Sequence, residues 1–385
     1  MKRKITIFTA SRAEYGIFKP LIKLFKKDKK IDFSLIVSGS HLSNTFGYTV
    51  NEIKKDKVKV DFEIENTIDN DSSISVSKSY GLLLISLSEV LIKKKPDILI
   101  LLGDRYETSA AATTALICRI PIVHLQGGEV TKAAIDDHFR HSITKMSHYH
   151  FCFAETYRKR VIQMGEMPEH VKNYGALNVD SLQKVKKISK IELEKRLNFK
   201  LGDKNILVTF HPETLTKISS KQQIRKLLNS LTNLKNCKII FTKTNPDMDG
   251  RIINSEIDNF VKKDRTRFAS YTSLGHNLYV NCLRNFDLVI GNSSSGIIET
   301  PTFKIPTINL GDRQLGRIIS KNIINCKIEE KNITKSIKKG LSITFKKKCR
   351  NLTNPFYKKD TAQKIYSFLK KCKLPTDTTK DFNDK

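Results

Sequence analysis

Gly291-Asn292-Ser293-Ser294-Ser295-Gly296-Ile297-Ile298-Glu299 follows the apolar run Asp287-Leu288-Val289-Ile290. A short apolar run that ends in small residues reads as a buried parallel strand delivering the chain into a turn. Glycine and serine let the backbone come close to a ligand, and the residues behind them can open a helix. The first turn of a helix carries unpaired N–H groups and a partial positive charge, which suit a phosphate. Glu299 then lies about one turn into that helix, where a carboxylate can take the two hydroxyls of a ribose. Taken alone, the same residues also describe an ordinary strand-to-helix turn with serine N-caps. The rest of the chain decides between the two.

Apolar runs alternate with amphipathic stretches along the 385 residues, the pattern of an α/β chain with parallel sheets. Strands are expected at residues 5–9, 33–37, 58–62, 98–102, 120–124, 148–154 and 171–174. A helix is expected through 18–25, and another ends before Lys93-Lys94-Lys95-Pro96; the Ser/Asn/Asp-rich stretch 66–79 reads as a mobile loop. Residues 177–203 are charged and helical, which suits a crossing between domains. A second strand series follows at 206–210, 238–242, 267–269, 287–290, 306–309 and 322–326, then helices to about residue 371. The polar tail, 373–385, is expected to fray. Two Rossmann-type, doubly wound parallel-sheet domains result, residues 1–176 and 177–372, with a central cleft at the carboxyl ends of their strands.

Composition narrows the function. Hydrophobic residues at 39% and charged residues at 28% fit a globular protein rather than a disordered one. No run approaches the roughly 20 apolar residues of a membrane span. The basic start Met1-Lys2-Arg3-Lys4 enters a strand pattern with no apolar signal core behind it, so a cytoplasmic protein is expected. The seven cysteines are odd in number and scattered, without a Cys-x-x-Cys pair, which argues against a disulfide framework and a zinc site. The net charge of +30 comes from lysines spread over the whole length, with no Arg-rich arm and no basic stripe interleaved with aromatics. A solvated lysine-rich surface is expected, not a nucleic-acid or membrane partner.

Four motifs fall at expected strand ends. Thr9-Ala10-Ser11-Arg12-Ala13-Glu14-Tyr15-Gly16 follows the first strand, with Arg12 placed for a phosphate. Gly103-Asp104-Arg105-Tyr106-Glu107 sets an acid and a guanidinium at one lip, where Asp104 and Arg105 can equally form a structural ion pair. Phe210-His211-Pro212-Glu213-Thr214 puts His211 at the end of the first strand of the second half. His124-Leu125-Gln126-Gly127-Gly128-Glu129 precedes Asp136-Asp137-His138-Phe139-Arg140-His141. The glycine pair allows a sharp turn and admits a ligand. Asp136 and Arg140, four apart, share one helix face. Several carboxylates converging on one place are what acid–base chemistry on a sugar requires.

Motifs of these kinds in this order resemble the hydrolysing UDP-N-acetylglucosamine 2-epimerases of bacterial sialic acid synthesis. The likeness runs from Ser11 to about Arg317 and includes Arg140-His141-Ser142-Ile143-Thr144-Lys145-Met146-Ser147 and Asn309-Leu310-Gly311-Asp312-Arg313-Gln314. It implies a GT-B-like fold with UDP held mainly by the second domain. By matching motif, Arg12, Gly16, Arg105, His211, Asn245, Ser293, Ser294, Glu299 and Arg313 would line the nucleotide site. Asp104, Glu129 and the acids at Asp136 and Asp137 would be the catalytic groups, with Arg140 and His41 nearby. The implied reaction converts UDP-N-acetylglucosamine and water to N-acetylmannosamine and UDP through 2-acetamidoglucal, with no metal and no cofactor, in a homodimer. The alternatives are a 2-epimerase of UDP-N,N'-diacetylbacillosamine or GDP-linked N-acetylglucosamine, a GT-B glycosyltransferase, and a nucleotide-sugar-binding protein without catalysis. One departure stands out: the resemblance calls for a glutamate where this chain has Gln126, and glutamine cannot move a proton as a carboxylate does. Either Glu129 takes that role or position 126 is not essential.

Overall fold

In the computed structural model, which describes residues 2–68, 72–132, 134–213, 216, 218–244, 249–375 and 378–384, the described strands form two wholly parallel sheets. The first holds β1 (Arg3–Thr9), β2 (Ile31–Ser38), β3 (Phe62–Ile64), β4 (Ile98–Leu102), β5 (Ile122–Leu125), β6 (Tyr149–Cys152) and β7 (Val171–Asn173). Their order is β3-β2-β1-β4-β5-β6-β7. The second holds β8 (Lys204–Thr209), β9 (Cys237–Thr242), β10 (Phe268–Tyr271), β11 (Leu288–Gly291), β12 (Thr307–Leu310) and β13 (Ile323–Cys326), in the order β10-β9-β8-β11-β12-β13. Helices cover both faces of such sheets, so central strands read as unbroken apolar runs. All five residues of β4 are buried. Register is fixed across β1, where Ile5 faces Phe33 on one side and Ile98 on the other.

Each sheet reverses its strand order once, between β1 and β4 and between β8 and β11. Connections leave such neighbours in opposite directions and open a crevice at the carboxyl ends, where α/β proteins bind ligands. The motifs at 9–16 and 103–107 leave β1 and β4; those at 210–213 and 291–299 leave β8 and β11. These four stretches therefore flank the switch point of their own sheet, while the 124–129 motif leaves β5, one strand further on.

The chain divides into one unit of Met1–Glu129, Ile135–Ser181 and Phe356–Lys385, and another of Val130–Ala134 and Leu182–Pro355. The crossing thus falls at Ser181 rather than after residue 176, and the chain returns to the first unit at Phe356. The return is driven by helix Thr361–Lys371, whose Ala362, Ile365 and Leu369 join the core built by Phe18, Leu21 and Phe25. The tail beyond it is fastened instead of frayed. Lys380 pairs with the buried Glu166 at 2.7 Å, and the Asn383 N–H donates to the Gly165 carbonyl at 3.0 Å. A further correction concerns helix Ser73–Lys94, which begins inside the stretch expected as a loop because the Ser72 hydroxyl caps it by accepting from the Ser75 N–H at 3.2 Å. By length and composition this helix would also suffice to cross a membrane, though Leu83, Leu87 and Leu91 form a fully buried stripe against the core.

Candidate active site

The second unit gathers its motifs by backbone stapling. Gly291 ends β11 with φ +145°, and a Cβ there would sit 1.8 Å from the Thr209 carbonyl oxygen. Only glycine lets β8 and β11 run so close where the order reverses. Asn292, wholly buried, then ties the two strand ends together: its Oδ1 accepts from the His211 N–H at 2.7 Å and its Nδ2 donates to the His211 carbonyl at 2.8 Å. The Asn292 carbonyl accepts from Gln314 Nε2 at 2.7 Å and Arg313 Nη1 at 3.3 Å. Glu213 Oε1 closes the set by accepting from the backbone N–H groups of Asp312 at 2.8 Å and Arg313 at 3.0 Å. Burial raises the Glu213 pKa against the pull of those two N–H groups. Three loops carrying His211, Ser293 and Arg313 are so locked to one another.

His211 Nδ1 lies 2.7 Å from Thr244 Oγ1, which fixes the ring. The Ser293 hydroxyl caps helix Ser294–Ile298 by accepting from the Ser295 N–H at 3.4 Å. That helix has only five residues, because the chain turns at Glu299 into the separate helix Thr300–Phe303 with Pro301 in its first turn. Glu299 is thus a C-cap, one turn from the serines as expected. Asn245 and Thr214 lie outside the described residues.

In the first unit one guanidinium holds the acids. Arg140, on helix Asp136–Met146, is wholly buried. Its Nη2 donates to the Asp104 carboxylate, and its Nη1 donates to Asp137 Oδ1 at 2.7 Å and to the Glu129 carbonyl at 3.1 Å. Burial alone would lower its pKa, but the charges of Asp104, Glu129 and Asp137 outweigh burial and raise it, so it is a permanent cation. Asp136 opens the same helix one residue before Asp137. Asp104 is itself positioned from below: His124 Nε2 donates to the carbonyl of the preceding Gly103 at 2.8 Å, and His124 Nδ1 lies 3.1 Å from Thr144 Oγ1. Burial pushes the His124 pKa down to about 3, leaving a neutral ring.

The neighbours Asp104 and Arg105 each have a partner of their own. Arg105 grips the buried Glu107 with both arms of its fork, Nε to Oε2 at 3.0 Å and Nη2 to Oε1 at 3.1 Å. His41 is not placed in the acid cluster by its hydrogen bonds. It is wholly buried with Nε2 at 3.2 Å from Thr9 Oγ1 and Nδ1 at 2.8 Å from Thr49 Oγ1, and burial pushes its pKa to about 3. Arg12 opens helix Arg12–Lys27 with its pKa lowered by burial and raised in part by Glu52, and Gly16 lies on the second turn of that helix. Glu14, given no role from sequence, accepts from the Ala10 N–H at 2.7 Å and is pushed up to about 7 chiefly by burial. Gly128 serves packing: at φ +84°, a Cβ would lie 2.4 Å from the Tyr157 carbonyl oxygen.

Two switch points lined by an acid cluster in one unit and by a serine–histidine–arginine set in the other fit a nucleotide-sugar enzyme. A sequence model of the UDP-N-acetylglucosamine 2-epimerase family matches residues 23–370. The chain belongs to this family. The match takes in every site residue above except those of the 9–16 motif. The chain is 42% identical over 329 residues to the GDP/UDP-N,N'-diacetylbacillosamine 2-epimerase (hydrolyzing) of Campylobacter jejuni, spanning 86% of this chain and 85% of that protein. It is 34% identical over 384 residues to the polysialic acid biosynthesis protein P7 of Escherichia coli, spanning 99% and 97%. The crystal structure of the Neisseria meningitidis UDP-GlcNAc 2-epimerase bound to UDP-GlcNAc shares the fold, with a TM-score of 0.80 over 96% of this chain and 100% of that one at 19% identity. The two parallel-sheet domains are thus the GT-B-like pair of this epimerase family.

Proposed function

We propose that the protein is a hydrolysing nucleotide-sugar 2-epimerase whose sugar is N,N'-diacetylbacillosamine, carried on UDP or GDP. The supporting observation is the 42% identity to a C. jejuni enzyme named for that substrate, set against 34% to the polysialic acid protein. UDP-N-acetylglucosamine, the substrate that the sequence motifs put first, is the second reading. It rests on the E. coli relative, which spans nearly the whole chain.

The chemistry is the same for either sugar. Hydrogen on carbon 2 is weakly acidic, so departure of the nucleoside diphosphate carries much of the barrier. Arg313, His211 and the hydroxyls of Ser293 and Ser294 are assigned to the diphosphate, whose growing charge they stabilise. Arg12, Gly16, Arg105 and Asn245 complete the assigned nucleotide contacts, and Glu299 takes the ribose. One of Asp104, Glu129 and the Asp136–Asp137 pair removes the carbon 2 proton as the carbon 1–oxygen bond breaks, which leaves a glycal and the free diphosphate. Water then adds its hydroxyl to carbon 1, and carbon 2 is reprotonated on the opposite face, inverting it. Elimination and hydration are redox-neutral, so these steps call for no cofactor. Arg140 keeps Asp104 and Asp137 in place throughout.

Proton NMR in deuterated water tests the reading, with UDP-diacetylbacillosamine, GDP-diacetylbacillosamine and UDP-N-acetylglucosamine as separate substrates. Free nucleotide with a 2-epimer deuterated at carbon 2, formed fastest from a diacetylbacillosamine donor, is expected. Fastest turnover of UDP-N-acetylglucosamine would select the second reading. Hydrolysis with the carbon 2 hydrogen retained would exclude the epimerase mechanism. A homodimer is proposed too. It is supported by exposed Leu82, Ile85 and Ile92 on helix Ser73–Lys94, and light scattering would test it.

A further inference from the structure

Glu299 is held by a chain of hydroxyls that begins on another helix. Tyr279, on helix Gly275–Asn285, hydrogen-bonds Ser295 Oγ through its hydroxyl, and Ser295 Oγ lies 3.1 Å from Glu299 Oε2. A serine hydroxyl has one hydrogen to give, and a carboxylate only accepts. Ser295 therefore donates to Glu299, and the hydrogen shared by Tyr279 and Ser295 comes from the phenol. The direction is fixed: Tyr279 to Ser295 to Glu299. Burial, and then the charge of Glu299, raise the phenol's pKa, so it remains a donor at working pH. Donors in series ending on a charge strengthen one another.

This chain divides the labour among three adjacent serines. Ser293 caps the short helix, and the Ser295 hydroxyl is engaged on both sides. The hydroxyls of Ser293 and Ser294 are the ones left to face a diphosphate. A phenylalanine at 279 would fill the same space, but the Ser295 hydroxyl would then be fixed on one side only and would hold Glu299 less firmly.

We propose that Tyr279 is a positioning residue for ribose recognition, fixing the Glu299 carboxylate through Ser295 so that it takes the hydroxyls of the nucleotide's ribose. This rests on the assignment of Glu299 to the ribose made above. The test is calorimetric titration of wild type, Tyr279→Phe, Ser295→Ala and Glu299→Gln with UDP and with 2',3'-dideoxy-UDP. The corresponding GDP pair replaces them if that nucleotide binds more tightly. Wild type should favour the ribonucleotide by on the order of 30-fold, since hydrogen bonds to a charged group are being read. Tyr279→Phe should cut that preference by roughly threefold to tenfold, leaving dideoxy affinity within about twofold; Ser295→Ala should cut it at least as far, and adding Tyr279→Phe to Ser295→Ala should cost little more because Tyr279 acts through Ser295. A full preference in Tyr279→Phe, with the preference abolished in Glu299→Gln, overturns the role of Tyr279 alone. Equal losses for both nucleotides mean a structural role and overturn it as well. No ribose preference in wild type, or none lost in Glu299→Gln, overturns the Glu299 assignment and this inference together.

Discussion

Asn292 and His211 exchange two hydrogen bonds across the point where the second sheet reverses its strand order, at 2.7 Å and 2.8 Å. The Asn292 carbonyl also receives Gln314 and Arg313, so a single buried amide residue registers three loops. Asn292→Ala removes the two side-chain hydrogen bonds that Asn292 makes to the buried His211 backbone, each worth about 1–3 kcal/mol. Denaturant unfolding should show the loss, and UDP affinity should fall with it because His211 and Arg313 shift. Normal stability and normal UDP affinity in this variant would make the staple incidental.

The Arg140–Asp104 pair sets the second prediction. Asp104→Asn keeps the shape of the side chain and removes its proton chemistry. UDP binding should persist while turnover falls by about 10²–10⁴-fold. Arg140→Met instead takes the wholly buried guanidinium away from Asp104 and Asp137, and stability should fall by about 1.5–3 kcal/mol for the charged hydrogen bonds lost. Turnover should fall in both variants, and the melting temperature should fall further in the second, which removes the guanidinium from both carboxylates. Near-normal turnover in Asp104→Asn would remove that carboxylate from the mechanism.

Acid stability follows from buried neutral histidines. Burial depresses His124 to about 3 in the folded state, against roughly 6.5 when unfolded. Its contribution is therefore complete above pH 6.5 and is lost as pH falls toward 3, because only the unfolded chain takes up the proton in that window. The slope is about 1.4 kcal/mol per pH unit. Glu14, raised to about 7, works the other way: its contribution is present below its unfolded value and lost as pH rises through 7. Wild type minus His124→Gln isolates the histidine. The stability gap between them should narrow by about 1.4 kcal/mol per unit from pH 6 to 4. A gap independent of pH would mean that His124 is protonated in the fold.

The strands were legible where burial on both faces forces an unbroken apolar run. β4 falls on 98–102 as read, whereas the edge strand β3 is Phe62–Ile64 and not 58–62, since a strand with one neighbour leaves a weaker pattern. The apolar stripe of helix Thr361–Lys371 announces burial but not which sheet it covers, so the return to the first unit could not be read. Adjacency could not reveal the partners of Asp104 and Arg105. Arg105, the N-cap of helix Tyr106–Ile117, folds over onto Glu107, and tertiary packing brings Arg140, 36 residues away, to Asp104. The motifs located both switch points because small residues and charges must cluster where a backbone meets a ligand. The supports were invisible for a different reason: Glu213 grips backbone N–H groups 99 and 100 residues on, and main-chain partners carry no sequence signal.

Gln126 stands where the family resemblance calls for a glutamate. It adopts φ +67°, a left-handed conformation costing an L-residue about 1–2 kcal/mol, and its Nε2 is buried without a hydrogen-bond partner. Glu129, three residues on, is 3% exposed, and its carbonyl is bound by the same Arg140 that holds Asp104. We propose that Glu129 does the proton work that a glutamate at 126 would do, and Glu129→Gln should lower turnover by about 10²–10⁴-fold with UDP affinity kept. Gln126→Glu should not improve the enzyme. It puts a carboxylate where the Gln126 amide nitrogen is buried without a partner, and burial disfavours the charged form that a base needs. Turnover should stay level or fall in Gln126→Glu. A gain in turnover, or Gln126→Glu rescuing Glu129→Gln, would place the acid work at position 126 instead.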